Sequence, residues 1–94
     1  MSKPLHIVLI GAGNVAHHIA ASFAGNAGVK PVQVFNHRLT KTAKALAGSL
    51  NVPLASTYNK LEKDADMYIL CVRDSALPDV AAQLAALKLH GTVV

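Results

Sequence analysis

A glycine-rich hexapeptide at residues 11–16, with the pattern G-x-G-x-x-A, constrains the fold of this sequence more than any other feature. It directly follows the apolar, β-branched run Leu5–Ile10, which is typical of a strand buried on both faces of a parallel sheet. After it, Val15, Ile19 and Phe23 recur every four residues beside Ala16, Ala20 and Ala24, and together they form one apolar helical stripe. Strand, glycine turn and helix in this order predict the first half of a βαβ unit.

The residue types of the hexapeptide suit the binding of a diphosphate. Gly11 allows a sharp turn, Gly13 lets the backbone approach a pyrophosphate, and Ala16 lets the helix pack close to the strand. The free N–H groups and the positive dipole end of the helix would face the phosphates. A tight turn without a ligand is the alternative. The strand before it, the helix after it and a second strand at a suitable distance favour a dinucleotide site.

The rest of the chain continues the alternation of strands and helices. A second strand is predicted at residues 31–36, and a helix follows it with Thr40 as the N-cap. Next come a short strand at 54–56, a helical turn around Leu61 and Glu62, and a buried strand at 67–72. The inner face of the helix after Thr40 is predicted to comprise Ala43, Leu46, Ala47 and Leu50.

A last helix and strand complete the pattern. Asp74 or Ser75 is predicted to cap a helix that has Pro78 in its first turn. This helix is predicted to bury Val80, Leu84 and Leu87, and a final strand begins at residue 91. The alternation predicts an α/β fold of three layers, a parallel sheet with helices on both faces.

The end of the second strand carries the signal for the type of dinucleotide. An Asp or Glu at this position would bind the adenosine ribose 2′-hydroxyl of NAD, but the residue is Asn36. His37 and Arg38 follow it, and a guanidinium can bind a 2′-phosphate bidentately. Thr40 and Lys41 are near enough in sequence to join that cluster. We therefore predict NADP rather than NAD, with solvated surface charges as the alternative reading of Arg38 and Lys41.

The loop after the 67–72 strand leaves the same edge of the sheet. Val72 and Arg73 are predicted to border the nicotinamide half of the dinucleotide. Cys71 continues an apolar strand and has no neighbouring His, so a core residue is favoured over a nucleophile. Asp74 and Ser75 are interpreted as helix caps rather than as catalytic groups.

Composition excludes several other classes of protein. At 94 residues the chain corresponds to one domain, and its net charge of +4 is spread along the sequence without an aromatic stacking platform, which disfavours nucleic-acid binding. His17 and His18 are adjacent and so point apart, and no metal site is predicted. The single Cys71 permits no internal disulfide and fits a reducing, cytoplasmic location. Neither a signal peptide nor a membrane span is expected.

Three segments together carry a family resemblance: residues 7–16, residues 34–38 and residues 65–74. The pattern resembles the NADP-binding N-terminal Rossmann domain of pyrroline-5-carboxylate reductases and deazaflavin-dependent NADP reductases. It is most similar to their less characterised relatives, Rossmann-like oxidoreductases with a C-terminal helical domain of unknown function. The resemblance implies that the pyrophosphate is bound by Gly11, Ala12, Gly13, Asn14 and Val15. It implies that the 2′-phosphate is bound by Asn36, His37 and Arg38, and that the nicotinamide ribose is bound by Val72 and Arg73.

The resemblance also implies what the parent protein does. It would transfer a hydride between NADPH and a small C=N or C=O substrate, with the protein positioning the cofactor. Residues 1–94 would then be a truncated NADP-binding domain that lacks the C-terminal substrate and dimerisation domain, so no catalytic residue is assigned. A homodimer through the edge strand at residues 92–94 stays open. A dinucleotide-sensing regulatory module is the alternative function, and Asn36 argues against a third option, an S-adenosylmethionine-dependent methyltransferase.

Overall fold

Strands and helices alternate along the chain in the computed structural model, which describes residues 4–23, 28–73, 75–89 and 91–94. Of the residues singled out above, Asp74 lies outside the described residues, and so does the side chain of Asn14. The elements are β1 (Leu5–Ile10), α1 (Asn14–Phe23), β2 (Val29–Phe35), α2 (Lys41–Leu50), β3 (Leu54–Ala55), a 3₁₀ turn (Tyr58–Lys60), β4 (Met67–Leu70), α3 (Leu77–Ala86) and β5 (Thr92–Val93).

The strands form one sheet in the order β3-β2-β1-β4-β5, and every neighbouring pair is parallel. The direction of winding reverses between β1 and β4. In open parallel sheets this switch point leaves a crevice at the carboxyl ends of the two strands. The predicted parallel α/β fold is confirmed, and the sheet order is that of a Rossmann domain.

Side chains of β1 alternate between the two faces of the sheet. Ile7 and Leu9 belong to a buried cluster with residues of α1 and α2, whereas Val8 and Ile10 belong to a second cluster with Leu84 of α3. Complete burial of such aliphatic side chains stabilises the fold by about 1.5–3 kcal/mol each. The three layers that the sequence predicts are therefore present. In the described ranges, no helix is long and apolar enough to cross a bilayer.

The buried face of α1 is one row of the predicted stripe, of which Ala24 lies outside the described residues. Ala16 and Ala20 are buried against the sheet, whereas Ile19 and Phe23 pack at the margin of the cluster and Val15 is 60% exposed. An i, i+4 stripe does not by itself say which of two adjacent rows faces the core. Here the row of alanines does, because side chains of a single methyl group let the helix lie close to β1.

Helix α2 begins and ends as the sequence predicts. The hydroxyl Oγ1 of Thr40 accepts a hydrogen bond from the backbone N–H of Ala43 at 3.0 Å. At the other end Asn51 adopts the left-handed conformation (φ 55°), and its N–H donates to the carbonyls of Ala47 and Gly48. The Thr40 cap fixes the end of the loop between β2 and α2, which matters for the site described below.

The structure corrects the predicted N-cap of α3. The N-cap residue is Ala76, without any side-chain hydrogen bond to the helix, so Ser75 does not cap it. A backbone turn leads into the helix instead, because the N–H of Ala76 donates to the carbonyl of Arg73 at 2.9 Å. Pro78 lies in the first turn, as predicted, where its missing N–H costs no helical hydrogen bond.

The connection between β3 and β4 contains the 3₁₀ turn where many crossovers of parallel strands contain a helix. The sequence places a helical turn around Leu61 and Glu62, whereas the observed turn, Tyr58–Lys60, ends one residue before them. Leu61 is 3% exposed and fills the space under the sheet that a longer helix would cover.

Two buried polar side chains hold this crossover by hydrogen bonds to its backbone. The Gln33 amide donates from Nε2 to the Lys60 carbonyl at 2.9 Å and accepts at Oε1 from the Glu62 N–H at 2.8 Å. The Tyr68 hydroxyl donates to the Glu62 carbonyl at 2.6 Å and accepts from the Ala65 N–H at 3.2 Å. Because buried backbone groups must be paired, these contacts replace the internal bonding of a helix.

This arrangement gives a test of the fold. Replacing Tyr68→Phe is expected to lower the free energy of unfolding by about 1–3 kcal/mol, since it leaves the buried N–H of Ala65 unsatisfied and removes the donor to the part-buried carbonyl of Glu62. Urea unfolding followed by circular dichroism measures the change. Tyr58→Phe is the matched control, because the Tyr58 hydroxyl makes no hydrogen bond within the described residues. Equal losses in the two variants would contradict the assigned role of Tyr68.

Candidate functional site

Three loops leave the carboxyl edge of the sheet side by side, and backbone hydrogen bonds continue past the strand ends to hold them. The N–H of Gly11 donates to the carbonyl of the last residue of β2 at 2.7 Å, and that of Cys71 donates to the last residue of β1 at 2.7 Å. The N–H of Asn36 donates to the last residue of β3 at 2.9 Å. The loops after β1, β2 and β4 are therefore fixed relative to one another.

Gly11 takes part in this close packing because it has no side chain. Its φ of +103° is a conformation that other residues rarely adopt. A Cβ atom there would lie 2.5 Å from the carbonyl oxygen of Cys71, which is backbone and cannot move aside. The sharp turn that the sequence predicts at Gly11 is present, and the approach of β4 to β1 depends on it.

Gly13 differs from Gly11 because it faces open space. A Cβ atom on Gly13 would meet no described atom within 4 Å. The residue immediately precedes α1, whose first turn contains no acidic side chain. The first N–H groups of a helix have no intrahelical acceptor, and they form the positive end of its dipole. At Gly13 the backbone is therefore accessible, and the N–H groups that begin α1 have no acidic side chain beside them.

A groove of about 610 Å³ runs across the three loops. The loop after β1 contributes one wall, the loop after β2 a second and the loop after β4 a third. We call this cavity the groove, and its lining includes Ala12, Gly13, Val15, Asn36, Val72 and Arg73. Thr40, Thr42 and Cys71 complete the lining. The structure thus brings together residues that the sequence analysis selected from three separate segments.

The loop after β2 is ordered by the side chain of its first residue. Asn36 donates from Nδ2 to the carbonyl of Arg38 at 2.6 Å, a short-range closure typical of Asn in turns. His37 and Arg38 are exposed, and Arg38 lies outside the lining of the cavities described here. The structure therefore does not bring Arg38 into the groove, whereas His37 lines the cavities of about 210 and 230 Å³ described below.

The charged side chains in the loop after β2 and the first turn of α2 are all positive. Residues 36–44 contain three exposed cations and no carboxylate. The cations are Arg38, Lys41 and Lys44. Within the described residues none of them forms an ion pair that would neutralise it. The edge of the groove next to β2 is consequently positive.

A second cavity, of about 210 Å³, lies beyond Asn36 on the side of the sheet that α3 covers. We call it the slot, and its lining includes Phe35, Tyr58, Val72, Ala76, Asp79 and Val80. The rings of Phe35 and Tyr58 contact each other with centroids 4.7 Å apart and planes tilted by 34°. A third cavity, of about 230 Å³, is lined by residues of the slot and of the groove and joins the two.

Sequence reasoning selected Gly11, Asn36, His37 and Val72 of the slot lining and missed other lining residues. Tyr58, Ala76, Asp79 and Val80 were not selected, although each follows shortly after the end of β3 or β4. The rule that ligands bind at the carboxyl ends of parallel strands would have marked these segments as candidates. It would not have said which of their side chains face the cavity.

The titratable groups with shifted pKa values in the two cavities are neutral near pH 7. Burial raises the pKa of the Cys71 thiol. Burial first, and the negative charge of Asp79 second, raise the pKa of the Tyr58 hydroxyl. Cys71 is half-buried: it packs against the core, as predicted, and also lines the groove. No group of three or more His, Cys, Asp or Glu side chains able to hold a metal ion occurs in the part of the chain that the structure describes.

Solved structures share this fold over nearly the whole chain. A protein of Bacteroides fragilis assigned as an NADP oxidoreductase is 27% identical with a TM-score of 0.83, and the match covers 96% of this chain and 34% of that chain. The WlbA dehydrogenase of Chromobacterium violaceum, in complex with NADH and UDP-GlcNAcA, is 16% identical with a TM-score of 0.82, covering 99% of this chain and 28% of that one. The chain therefore spans about a third of the length of these proteins.

A third solved structure, assigned as an NADPH-dependent oxidoreductase of Desulfitobacterium hafniense, is 21% identical with a TM-score of 0.82, covering 99% of this chain and 27% of that one. No curated protein matches the chain. The family described as "NADP oxidoreductase coenzyme F420-dependent" matches residues 6–94. This match confirms the resemblance that the sequence motifs indicate, and nothing in the comparisons supports a regulatory module. The chain belongs to the coenzyme F420-dependent NADP oxidoreductase family, as an oxidoreductase domain of Rossmann fold that binds a nicotinamide dinucleotide.

Proposed function

We propose that this chain binds NADPH in preference to NADH along the groove and the slot, as the cofactor domain of a larger reductase. The observation that carries the proposal is the charge of residues 36–44, which hold three cations and no carboxylate at the end of β2. A carboxylate there would bind the 2′-hydroxyl of NADH and repel a 2′-phosphate. Its absence removes the repulsion, and the cations supply the attraction.

The pyrophosphate is assigned to the loop between β1 and α1. The open space beside Gly13 lets phosphate oxygens approach the backbone, and the first N–H groups of α1, which have no intrahelical acceptor, follow directly after it. Gly11, Ala12, Asn14 and Val15 complete this segment. Recognition here uses the backbone and requires no charged side chain, so it would not distinguish NADPH from NADH.

The 2′-phosphate is assigned to the exposed loop after β2. Arg38 presents a planar fork of donors that matches a phosphate, and Asn36 holds the loop that carries it. Thr40 lines the groove and Lys41 follows it at the start of α2. A hydrogen bond between charged groups contributes about 1.5–3 kcal/mol, so one such contact gives about a 10- to 100-fold preference for NADPH.

The nicotinamide half is assigned to the end of the groove beside β4. Val72 and Arg73 line it there, where Val72 can pack against an apolar ring face and Arg73 is exposed. The nicotinamide supplies the hydride, and the chain holds the cofactor at the edge of the sheet. The substrate is proposed to be a small molecule with a C=N or C=O bond, bound by a further domain.

That further domain is proposed from the size of the relatives. The matched solved structures are about three times longer than this chain, so a substrate and dimerisation domain would follow the cofactor domain. The single cysteine and its half-buried thiol suit a reducing compartment, for which we propose the cytoplasm.

The 2′-phosphate assignment is tested by Arg38→Ala. The variant is expected to bind NADPH about 10- to 100-fold more weakly, because it loses the guanidinium, while NADH binding changes less than about threefold. Isothermal titration calorimetry at one stated salt concentration measures both affinities. Lys63→Ala is the matched control, since it removes an exposed cation from the segment before β4, at the opposite edge of the sheet. Equal weakening of NADPH binding in the two variants would overturn the assignment.

The pyrophosphate assignment is tested by Gly13→Ala. The added methyl group enters space that no described atom fills, so unfolding should change by no more than about 1 kcal/mol. It would stand where phosphate oxygens approach, so NADPH and NADH should both bind at least about tenfold more weakly. Gly48→Ala is the control in α2, where a Cβ also meets nothing and should leave binding unchanged. Unchanged affinity in Gly13→Ala would show that the diphosphate lies elsewhere.

The course of the cofactor along the groove is tested with Cys71, the single cysteine of the chain. Because burial raises the pKa of its thiol, alkylation by iodoacetamide should be slow at pH 7 and speed up about tenfold per pH unit below that pKa. Saturating NADPH should slow the reaction at least about fivefold at pH 8, as measured by mass spectrometry. Cys71→Ser is the blank for labelling elsewhere. An unprotected thiol at full occupancy would place the cofactor outside the groove.

A further inference from the structure

His37 is the basic side chain of the loop after β2 that reaches the cavities at the carboxyl edge. It lines the slot and also the third cavity, which joins the slot to the groove, whereas Arg38 lines neither. The amide of Asn36 donates to the carbonyl of Arg38 at 2.6 Å, so a hydrogen bond spans the residue that carries the imidazole. An imidazole is therefore held where this loop meets the cavities, in a segment, residues 36–44, that contains no carboxylate.

We propose that His37 makes the choice between NADPH and NADH depend on pH, because its imidazole pairs strongly with the 2′-phosphate only when it is protonated. This role rests on the proposed function, since it places the 2′-phosphate at the loop after β2. It goes further because it adds a proton to the recognition of NADPH. A site built on guanidinium and ammonium groups alone would recognise NADPH equally well at every pH between 6.5 and 8.5.

The other titratable side chains that line these two cavities each keep one charge state over that range. Burial raises the pKa of the Cys71 thiol in the third cavity, and burial followed by the charge of Asp79 raises the pKa of the Tyr58 hydroxyl in the slot, so both stay predominantly neutral. Asp79 also lines the slot and Arg73 the third cavity, and carboxylates and guanidinium groups stay charged near neutral pH. Within the described lining, His37 is thus the side chain whose type titrates in this range.

The direction of the pH effect follows from the charges of the two partners. Imidazole side chains change charge between about pH 5 and 8, and a phosphate dianion beside one favours its protonated form. NADH has a hydroxyl where NADPH has the 2′-phosphate, so only NADPH binding would be coupled to the uptake of a proton. Because such coupling is reciprocal, a proton on His37 strengthens NADPH binding by the same factor. The preference for NADPH therefore rises as the pH falls.

The cations of residues 36–44 act together with this imidazole but do not produce the pH effect. Arg38, Lys41 and Lys44 attract the 2′-phosphate to the same extent at pH 6.5 and at pH 8.5, because their side chains stay charged. They contribute a constant preference for NADPH, which His37 increases at the lower pH. Cofactor choice would then respond to pH without any change in the fold.

The test measures the affinities of NADPH and NADH by calorimetric titration of the 94-residue chain at pH 6.5 and 8.5, at one stated ionic strength. The ratio of the two affinities is expected to be at least about fivefold larger at pH 6.5, because a charged hydrogen bond is roughly twice as strong as a neutral one. Both pH values lie above about 6, where the 2′-phosphate itself gains a proton. Titrations in two buffers of different ionisation enthalpy should also detect the uptake of a fraction of a proton with NADPH and none with NADH.

Two substitutions separate the charge of His37 from its packing. His37→Gln keeps a polar side chain that does not titrate, so the preference for NADPH should change less than about twofold between the two pH values. His37→Arg is charged at both, so the high preference should persist at pH 8.5. His6→Gln is the matched control, since it removes an exposed imidazole at the amino end of β1, at the opposite edge of the sheet, and should keep the full pH dependence.

The possible results distinguish this role of His37 from the proposed function. A preference for NADPH that is equal at both pH values in the unaltered chain overturns the role and leaves the NADPH site in place. A pH dependence that persists in His37→Gln overturns it as well, because another group would then take up the proton. Failure of the unaltered chain to bind either dinucleotide at both pH values contradicts the proposed function itself.

Discussion

The hydrogen bonds that continue from the sheet into the three loops are the constraint on which the site depends. They hold Gly11, Asn36 and Cys71 in adjacent positions at the carboxyl edge. The approach is so close that a side chain at Gly11 would collide with the backbone of Cys71. The groove is therefore a consequence of strand pairing. Loops that are fixed by backbone hydrogen bonds need little ordering to hold a ligand, which lowers the entropic cost of binding.

The two faces of the sheet are covered by different means, and the slot results from that difference. Helices α1 and α2 cover one face through buried alanines and leucines. On the other face, the crossover between β3 and β4 has no α-helix, and hydrogen bonds from Gln33 and Tyr68 hold its backbone instead. This short crossover brings Tyr58 beside Phe35 at the carboxyl edge. A longer helix in this connection would change the wall of the slot.

The sequence predicts the parts of this structure that depend on local signals. The buried strands, the Thr40 cap and the turn at Gly11 each follow from residue type and spacing, and all are observed. The exposed Val15 and the uncapped start of α3 depend instead on how whole elements pack, which periodicity does not determine. Tyr58 was missed as a lining residue of the slot for the same reason, because its place beside Phe35 depends on the path of the whole crossover.

The division of labour between backbone and side chains explains how one fold can serve several dinucleotides. In the proposed site, the turn before α1 would bind the diphosphate through backbone amides and the space beside Gly13, so changing it would alter the loops that the sheet holds in place. The loop after β2 and the first turn of α2 carry their charges on exposed side chains that form no ion pair among the described residues. Substitutions there leave the strand pairing intact while they change the charge that a ligand meets. Under the proposed function, cofactor choice would thus be set by Arg38 and its neighbours independently of the stability of the domain.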